Sequence, residues 1–475
     1  MKLIYQVDDR PKFGALIVFA IQQLLAIMTA TLVVPIIINN NPTLIEQFGE
    51  GSIGMSSAAA LFGAGVGTLV YVLFTKKKSP VFLGSSFAFI GSMVAAFAGA
   101  ATVAIGYVGL ILGAVAAGLV YVIIAGLVKA FGVKWINKLM PAVVIGPTVS
   151  IIGLGLAGNA VGDLTSGGFE TTSIYAAVGV GLVSLFVIML CSVYGKKAGK
   201  LIPFILGIIA GYIFAFILTF FGYLFRNDEL MIVNIAPFAA LVEGGVSLKT
   251  FFQVPQFTFI NAFGSFKEIN GGYIGTILAA YVPVAFVVFA EHIADHKNIS
   301  SIIEKDLLED PGLHRTLLGD GVGSMVGAFF GGCPNTTYGE SIGCVAITKN
   351  ASVWTIITAA IGAIIISFLS PFVAFVNSIP SCIMGGVCMA LYGFIAVSGL
   401  KMIQNVDLNK NKNLFVVSVI LIAGIGGLTL SFGGVTITSV ACALILGIIA
   451  NLLLKNGKDD EEEPEKEEAN EEKQA

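Results

Sequence analysis

Apolar residues in this chain are not spaced to cover one face of a helix or strand; they run on without interruption. Runs long enough to cross a bilayer, which takes about 20 residues, fall at 14–38, 54–75, 104–131, 141–160, 173–194, 201–224, 272–295, 353–377, 380–400, 413–431 and 434–455. Three weaker segments lie at 80–100, 318–332 and 333–348; they are shorter, rich in Gly and Ser/Thr, and the last opens on Cys333-Pro334. Counted as spans they bring the total to fourteen, which predicts an all-α polytopic membrane protein whose third and tenth segments are broken or extended. Composition agrees: 56% of residues are hydrophobic, 12% are charged and the mean hydropathy is +0.92. A soluble domain carries about 25% charged residues, so single-domain soluble enzymes, disordered proteins and nucleic-acid binders are excluded, and the partner is the lipid bilayer. Met1–Lys12 is polar and the run after it is long enough to span, so it reads as a first span and not as a signal peptide.

Charge tests the span count. Cytoplasmic loops are enriched in Lys and Arg. With the N-terminus inside, fourteen spans place 23 of the 26 Lys and Arg residues on the inner side, leaving only Arg226, Lys249 and Lys267 in one long external loop, Arg226–Gly271. Dropping any one weak segment reverses the alternation downstream of it, so both termini are expected in the cytoplasm. The external loop is Phe-rich and could hold a strand or a surface helix; no chemistry is read in it. The formal net charge of -3 hides an asymmetry, because residues 458–475 hold ten acids and three lysines. That tail lacks apolar periodicity and is expected to be a disordered, solubilising cytoplasmic extension.

Fourteen spans divide into two sets of seven, and an odd number per half inverts one half relative to the other. Two local matches support such a repeat. Gly84-Ser-Ser-Phe-Ala-Phe89 aligns with Asn335-Thr-Thr-Tyr-Gly-Glu340, and Pro141–Gly146, opening the fifth span, aligns with Pro380–Gly385, opening the twelfth. Extended backbone inside a membrane segment leaves N–H and C=O groups that hydrocarbon cannot satisfy, so they must face protein, water or ligand. Paired broken segments in the two halves point to a transport site near the midplane, with helices starting near Phe89 and Glu340 aiming their positive ends at it.

Acids within spans are functional candidates by default. Glu291, near the end of an apolar run, and Asp295 share one helix face, and Glu340 follows the tenth segment's break. His292 and His296 are also one turn apart, as a zinc pair would be. The H-E-x-x-H pattern fails, however, because Ile293 and not Glu follows the first histidine, so no metal is expected. His292 is expected to pack in the bundle, His296 to meet the cytoplasmic interface, and His314 to lie in a charged loop. The six cysteines form no C-x-x-C pair and read as small buried hydrophobes.

At these residues the chain resembles the nucleobase–cation symporter family that includes the nucleobase–ascorbate transporters, and within it the bacterial uracil permeases. The likeness runs over about residues 13–455, and its strongest segments are 22–35, 82–90, Phe289-Ala-Glu-His292, 305–315 and 334–349. The resemblance implies a core domain of spans one to four and eight to eleven (13–131 and 272–377) and a gate domain from the rest (132–225 and 378–456), beside the cytoplasmic N-terminus (1–12), external loop (226–271) and acidic tail (457–475) expected from the charge pattern. Carried over, Glu291 and Glu340 would hydrogen-bond the base, Phe87 and Gly339 would offer backbone amides, and Ala30 would be a small contact. Tyr338 would flank the site and Tyr392 would be a gate aromatic. Asp295, Glu291 and His296 are the candidates for proton coupling. Three positions depart from the pattern: Gln23 stands where uracil permeases often have His, Asp295 where some relatives have a protonation-coupled His (with His296 one residue displaced), and Ser341 where the signature usually has Asn. The resemblance thus implies a cell-membrane importer of uracil or a related nucleobase, driven by a proton or by sodium, without a cofactor, and in relatives dimeric. A xanthine, urate or other purine permease on the same scaffold, an anion transporter or channel of similar architecture, and a membrane hydrolase are the alternatives.

Overall fold

The computed structural model describes residues 3–132, 141–169, 171–196, 199–200, 202–404, 406–432 and 435–454. The acidic tail lies outside the described residues. Helices dominate: α1 (Phe13–Asn39), α2 (Ser57–Phe74), α3 (Ile90–Ala98), α4 (Val103–Phe131), α5 (Ala142–Gly155), α6 (Ala157–Leu164), α7 (Ile174–Tyr194) and α8 (Pro203–Phe225) precede the long loop 226–270. After it come α9 (Gly271–Ile303), α10 (Leu313–Gly331), α11 (Gly339–Thr348), α12 (Val353–Ser367), α13 (Ser370–Asn377), α14 (Ser381–Met402), α15 (Asn411–Ile425) and α16 (Ser439–Leu453). Among the described residues, eight helical stretches are long and apolar enough to cross a membrane and four shorter apolar helices accompany them. The chain is an all-α polytopic membrane protein.

Helix starts follow local chemistry. Ser56, Thr102 and Asn270 each accept a backbone N–H of the first turn of α2, α4 and α9 with their side chains. Pro203 occupies the first turn of α8, where its missing N–H costs nothing. The matched prolines Pro141 and Pro380 are the residues immediately before α5 and α14, as the alignment of the fifth and twelfth spans anticipates.

Two strands interrupt the helices in the third and tenth segments. β1 (Leu83–Ser85) pairs antiparallel with β2 (Asn335–Thr337), Gly84 standing opposite Thr336. Ser86 N–H donates to Pro334 O at 2.9 Å and Tyr338 N–H to Phe82 O at 3.3 Å, extending the ladder. The ribbon lies against α2 and α10, and its outer groups are satisfied from α2. Leu83 N–H donates to Thr68 Oγ1 at 2.9 Å, Thr68 Oγ1 donates to Leu83 O at 3.2 Å, and Asn335 Nδ2 donates to Gly63 O at 3.1 Å. α2 and α10 come close enough for this because Gly63 meets the Gly327 backbone and Gly67 that of Gly323, with no room for a Cβ at either.

In the ribbon Gly84 stands opposite Thr336 and Ser85 opposite Asn335. The helical turns that follow begin at Phe87 and at Gly339, close to the expected starts near Phe89 and Glu340.

Three boundaries also differ from expectation. α9 continues to Ile303, eight residues past the apolar run, so Glu291 sits well inside it and His296 is fully buried instead of interfacial. The polar residues after Glu291 do not end the helix because α9 packs against other helices, where His292 and His296 find partners. The run 353–377 breaks at Phe368-Leu369 into α12 and α13. A hairpin, β3 (Leu430–Phe432) with β4 (Val435–Ile437), separates α15 from α16. In the long loop 226–270 the helix alternative holds, as the short helices Ala236–Ala239, Leu248–Phe251 and Thr258–Ala262.

Candidate functional site

The broken segments open onto a cavity of about 430 Å³. One wall is polar. It is made by Ser86 and Phe87 after β1, by Thr336 and Thr337 of β2, by Tyr338, Gly339 and Glu340 at the start of α11, and by Glu291 and Asp295 of α9. Four residues separate the two acids of α9, so one helix face delivers both. The opposite wall is apolar: Val149 and Ile152 of α5, Phe204 of α8, and Leu391, Phe394, Ile395 and Met402 of α14, with Ser398 its one hydroxyl. The α14 residues recur at three- and four-residue intervals, so one stripe of that helix faces the cavity.

Hydrogen bonds hold the polar wall in shape. Thr337 Oγ1 donates to Asp295 Oδ2 at 2.8 Å. Tyr338 hydroxyl donates to Ser85 O at 2.5 Å, and its ring fills the space beside Gly84. Ser341 Oγ accepts from Phe82 N–H at 3.0 Å and from Gln23 Nε2 of α1. The first amides of a helix have no partner within it and carry its positive end, so the starts at Phe87 and Gly339 present donors toward the cavity while Glu291, Asp295 and Glu340 present acceptors. The arrangement can bind a small neutral molecule that has both N–H and C=O groups.

Of the residues singled out by sequence, Phe87, Glu291, Asp295, Tyr338, Gly339 and Glu340 meet at this cavity. Ala30, His296 and Tyr392 do not line it. Ala30 is buried in α1, in the same apolar cluster as Tyr338. Tyr392 packs its ring edge-on to Phe87, centroids 6.3 Å apart, and so backs the site instead of facing it. His296 turns away. Its Nδ1 donates to His292 O at 2.8 Å, which leaves Nε2 to accept from the Tyr71 hydroxyl at 2.7 Å; Tyr71 in turn lies 2.7 Å from Ser79 Oγ.

Sequence reasoning passed over Asp320. It lies in α10, 1% exposed, with Oδ2 at 2.6 Å from His292 Nδ1. Thr316 hydroxyl donates to Leu313 O at 3.0 Å and accepts from His292 Nε2 at 3.0 Å. With Nε2–H committed to Thr316, the ring Nδ1 and the Asp320 carboxylate share one proton. The rule applied to Glu291, that an acid in a span is a functional candidate, would have flagged Asp320; its glycine-rich surroundings drew attention to the break instead.

The sequence matches the profile of the permease family over residues 14–432. It is 36% identical over 456 residues to the uracil permease of Bacillus caldolyticus, covering 95% of each chain. It is 34% identical over 453 residues to the uracil permease of Escherichia coli K12, covering 94% of this chain and 93% of that one. The fold is shared with the transmembrane domain of the cyanobacterial bicarbonate transporter BicA (TM-score 0.54, 15% identity, covering 94% of this chain and all 100% of that one). It is shared also with the murine anion transporter Slc26a9 in its inward-facing state (TM-score 0.59, 10% identity, covering 94% of this chain and 69% of that one). A carboxylate-lined cavity between paired broken segments, on a fold shared with membrane transporters and in a sequence matched almost end to end, places this chain in the permease family of nucleobase–ascorbate transporters, as a multi-pass membrane transporter and not an enzyme.

Proposed function

We propose that this transporter imports uracil across the cell membrane together with a proton. The observation that carries the reading is the meeting, in one cavity, of Glu291, Glu340 and the helix starts at Phe87 and Gly339. Uracil is a planar ring with two N–H donors and two carbonyl acceptors. Carboxylates accept from the former and helix-end amides donate to the latter. A site built to pair such groups rejects an analogue lacking one, because a buried polar group is then left unsatisfied. The names of the full-length relatives favour uracil over a purine, and the three acids at the cavity argue against an anion as cargo.

Fourteen segments cross the bilayer on this reading: the eight long stretches, the four shorter apolar helices, and α10 and α11. Both termini lie in the cytoplasm, on the strength of the Lys and Arg distribution. α1 to α4 and α9 to α13 form the core that holds the polar wall; α5 to α8 and α14 to α16 form the gate that holds the apolar one. Rocking of one against the other exposes the site alternately to the two sides. Coupling belongs to the acids of the polar wall, Asp295 included, and Glu291→Gln and Glu340→Gln each impair binding or transport. The test is uptake of labelled uracil into transporter-null cells, with and without a proton uncoupler and against excess unlabelled xanthine. Uncoupler-sensitive uptake that xanthine does not block is the expected result. Near wild-type uptake by both Gln variants overturns the site assignment, and uptake that survives the uncoupler but needs sodium overturns the proton.

A further inference from the structure

Residues 3–11, ahead of α1, run as a strap beside the stretch that joins α11 to α12. Tyr5 pairs in parallel with Asn350. Ile4 N–H donates to Lys349 O at 2.7 Å, Ala351 N–H to Tyr5 O at 3.0 Å and Val353 N–H to Val7 O at 3.1 Å. Lys349 is the C-cap of α11 and Val353 the first residue of α12. The strap thus takes up a carbonyl at the end of one helix and an amide at the start of the next, groups that have no partner inside a helix. Ser352 Oγ donates to Asp9 O at 2.6 Å. Val7 is 3% exposed and belongs to the apolar cluster that holds Tyr338, Ile342 and Val345. Arg10 Cζ lies 4.2 Å from the centroid of the Trp354 ring, and Lys77 Nζ lies 5.0 Å from the same centroid, so two cations meet one aromatic ring. Lys77 belongs to the turn that leads from α2 to β1. The Asp8–Lys305 pair, at 3.6 Å, is exposed and adds little.

We infer that residues 3–11 position the substrate-binding wall: they hold α11 at its far end and tie it, through Trp354, to the approach to β1, so that uracil affinity depends on a segment that lines no part of the cavity. The inference rests on the uracil-site reading above. None of residues 3–11 lines the cavity. α11, whose first residues Gly339 and Glu340 do line it, is ten residues long, too short to keep its shape without neighbours. The β1–β2 ribbon fixes α11 at the cavity end, and the strap grips it at the other, at Lys349 O and through Val7. Groups that recognise a small polar molecule must be held within about 0.5 Å of the productive geometry by the contacts behind them. Without the strap the end of α11 loses its partner, the start of α12 loses its acceptor, and Trp354 keeps only Lys77. Gly339 and Glu340 then lose their fixed spacing from Phe87 and Glu291.

Uracil binding to purified protein tests it, in two full-length variants and one shortened chain. Val7→Asp puts a charge where a buried side chain sits and ejects the strap; Val7→Ile keeps the apolar contact. A chain lacking residues 2–10 removes the strap outright, and a synthetic peptide of residues 1–12 supplies it again. Val7→Asp and the shortened chain are each expected to bind uracil about tenfold more weakly. Val7→Ile binds as wild type, and the peptide restores the affinity of the shortened chain. Wild-type affinity in Val7→Asp or in the shortened chain overturns the inference. So does a loss of affinity that comes with a lower melting temperature and that the peptide does not restore, because the strap then supports the fold and not the site. Absence of uracil binding by the wild-type chain overturns instead the reading on which the inference rests.

Discussion

Gln23 of α1 and Ser341 of α11 are hydrogen-bonded to each other. Both depart from the pattern the sequence otherwise resembles, and they depart together: one side chain occupies the position facing the other. Ser341 also takes Phe82 N–H at 3.0 Å and is fully buried, while Gln23 is 2% exposed. The contact thus ties α1 to the entrance of β1. Ser341→Ala leaves two buried donors unpaired, each costing about 1–3 kcal/mol. The expected result is a lower melting temperature in detergent. In a double-mutant cycle with Gln23→Ala the coupling should reach about 1 kcal/mol, as for residues in direct contact, and additive losses would mean that the pair does not act as one.

Gly84 and Gly339 are predicted to answer oppositely to the same change. A Cβ on Gly84 would enter the Tyr338 ring, whereas a Cβ on Gly339 meets nothing within 4 Å. Gly84→Ala must displace Tyr338 and break its bond to Ser85 O, an overpacking cost of about 1–3 kcal/mol. Gly339→Ala folds as well as wild type, and its methyl group narrows the substrate cavity. Melting temperatures should therefore fall only for Gly84→Ala, and uracil uptake should fall for both.

The broken segments were legible because Gly, Ser and Thr interrupt an apolar run, and hydrocarbon cannot tolerate the backbone that results. That they pair as an antiparallel ribbon, Gly84 opposite Thr336, was not, because side-chain likeness does not say which residues stand opposite one another. Glu291, Asp295 and Glu340 were readable singly as acids in spans; that they meet Phe87 and Gly339 in one cavity depends on the β1–β2 ribbon. His296 was misplaced because polarity after Glu291 looked like an exit from the membrane, whereas Tyr71 and the His292 carbonyl absorb it inside the protein. The β3–β4 hairpin was hidden because its short strands, exposed and half-buried, continue the apolar runs on both sides, and a short apolar run does not by itself separate strand from helix.

His292 and Asp320 form a buried pair 2.6 Å apart, 0% and 1% exposed. Removing one member of such a pair leaves an uncompensated polar group and costs about 3–5 kcal/mol. His292→Phe is expected to be the more damaging change, since it strands both Asp320 and Thr316. Asp320→Asn keeps an acceptor for the ring and should lose less. Detergent melting temperatures and the yield of monodisperse protein check the order, and equal losses would contradict the one-proton arrangement between the two.

The long loop 226–270, in which the sequence shows no chemistry, is fastened to α2 and α10 by pairs of phenylalanines. Phe257 lies 4.9 Å from Phe62 of α2, and Phe259 lies 4.9 Å from Phe329 of α10 at an interplanar angle of 5°. Such pairs contribute about 0.5–1.5 kcal/mol each beyond the area they bury. Phe257→Ala with Phe259→Ala should therefore free the loop and speed its cleavage by added protease, while uracil affinity stays as in wild type because the cavity wall is untouched.

Thr337 tests whether Asp295 acts in coupling or only in packing. Its hydroxyl donates to Asp295 Oδ2 at 2.8 Å, and it lies on β2 at the cavity edge. A hydrogen bond to a charged acceptor contributes about 1.5–3 kcal/mol, enough to decide which protonation state of Asp295 the site holds. Thr337→Ser keeps the donor and should transport normally. Thr337→Val keeps the shape and loses the donor; proton-driven uptake should fall by about tenfold or more, with uracil binding at fixed pH retained. If Thr337→Val instead loses binding and driven uptake in step, Asp295 is part of the substrate's own hydrogen-bond set. If Thr337→Val matches Thr337→Ser in both, coupling rests on Glu291 and Glu340 alone.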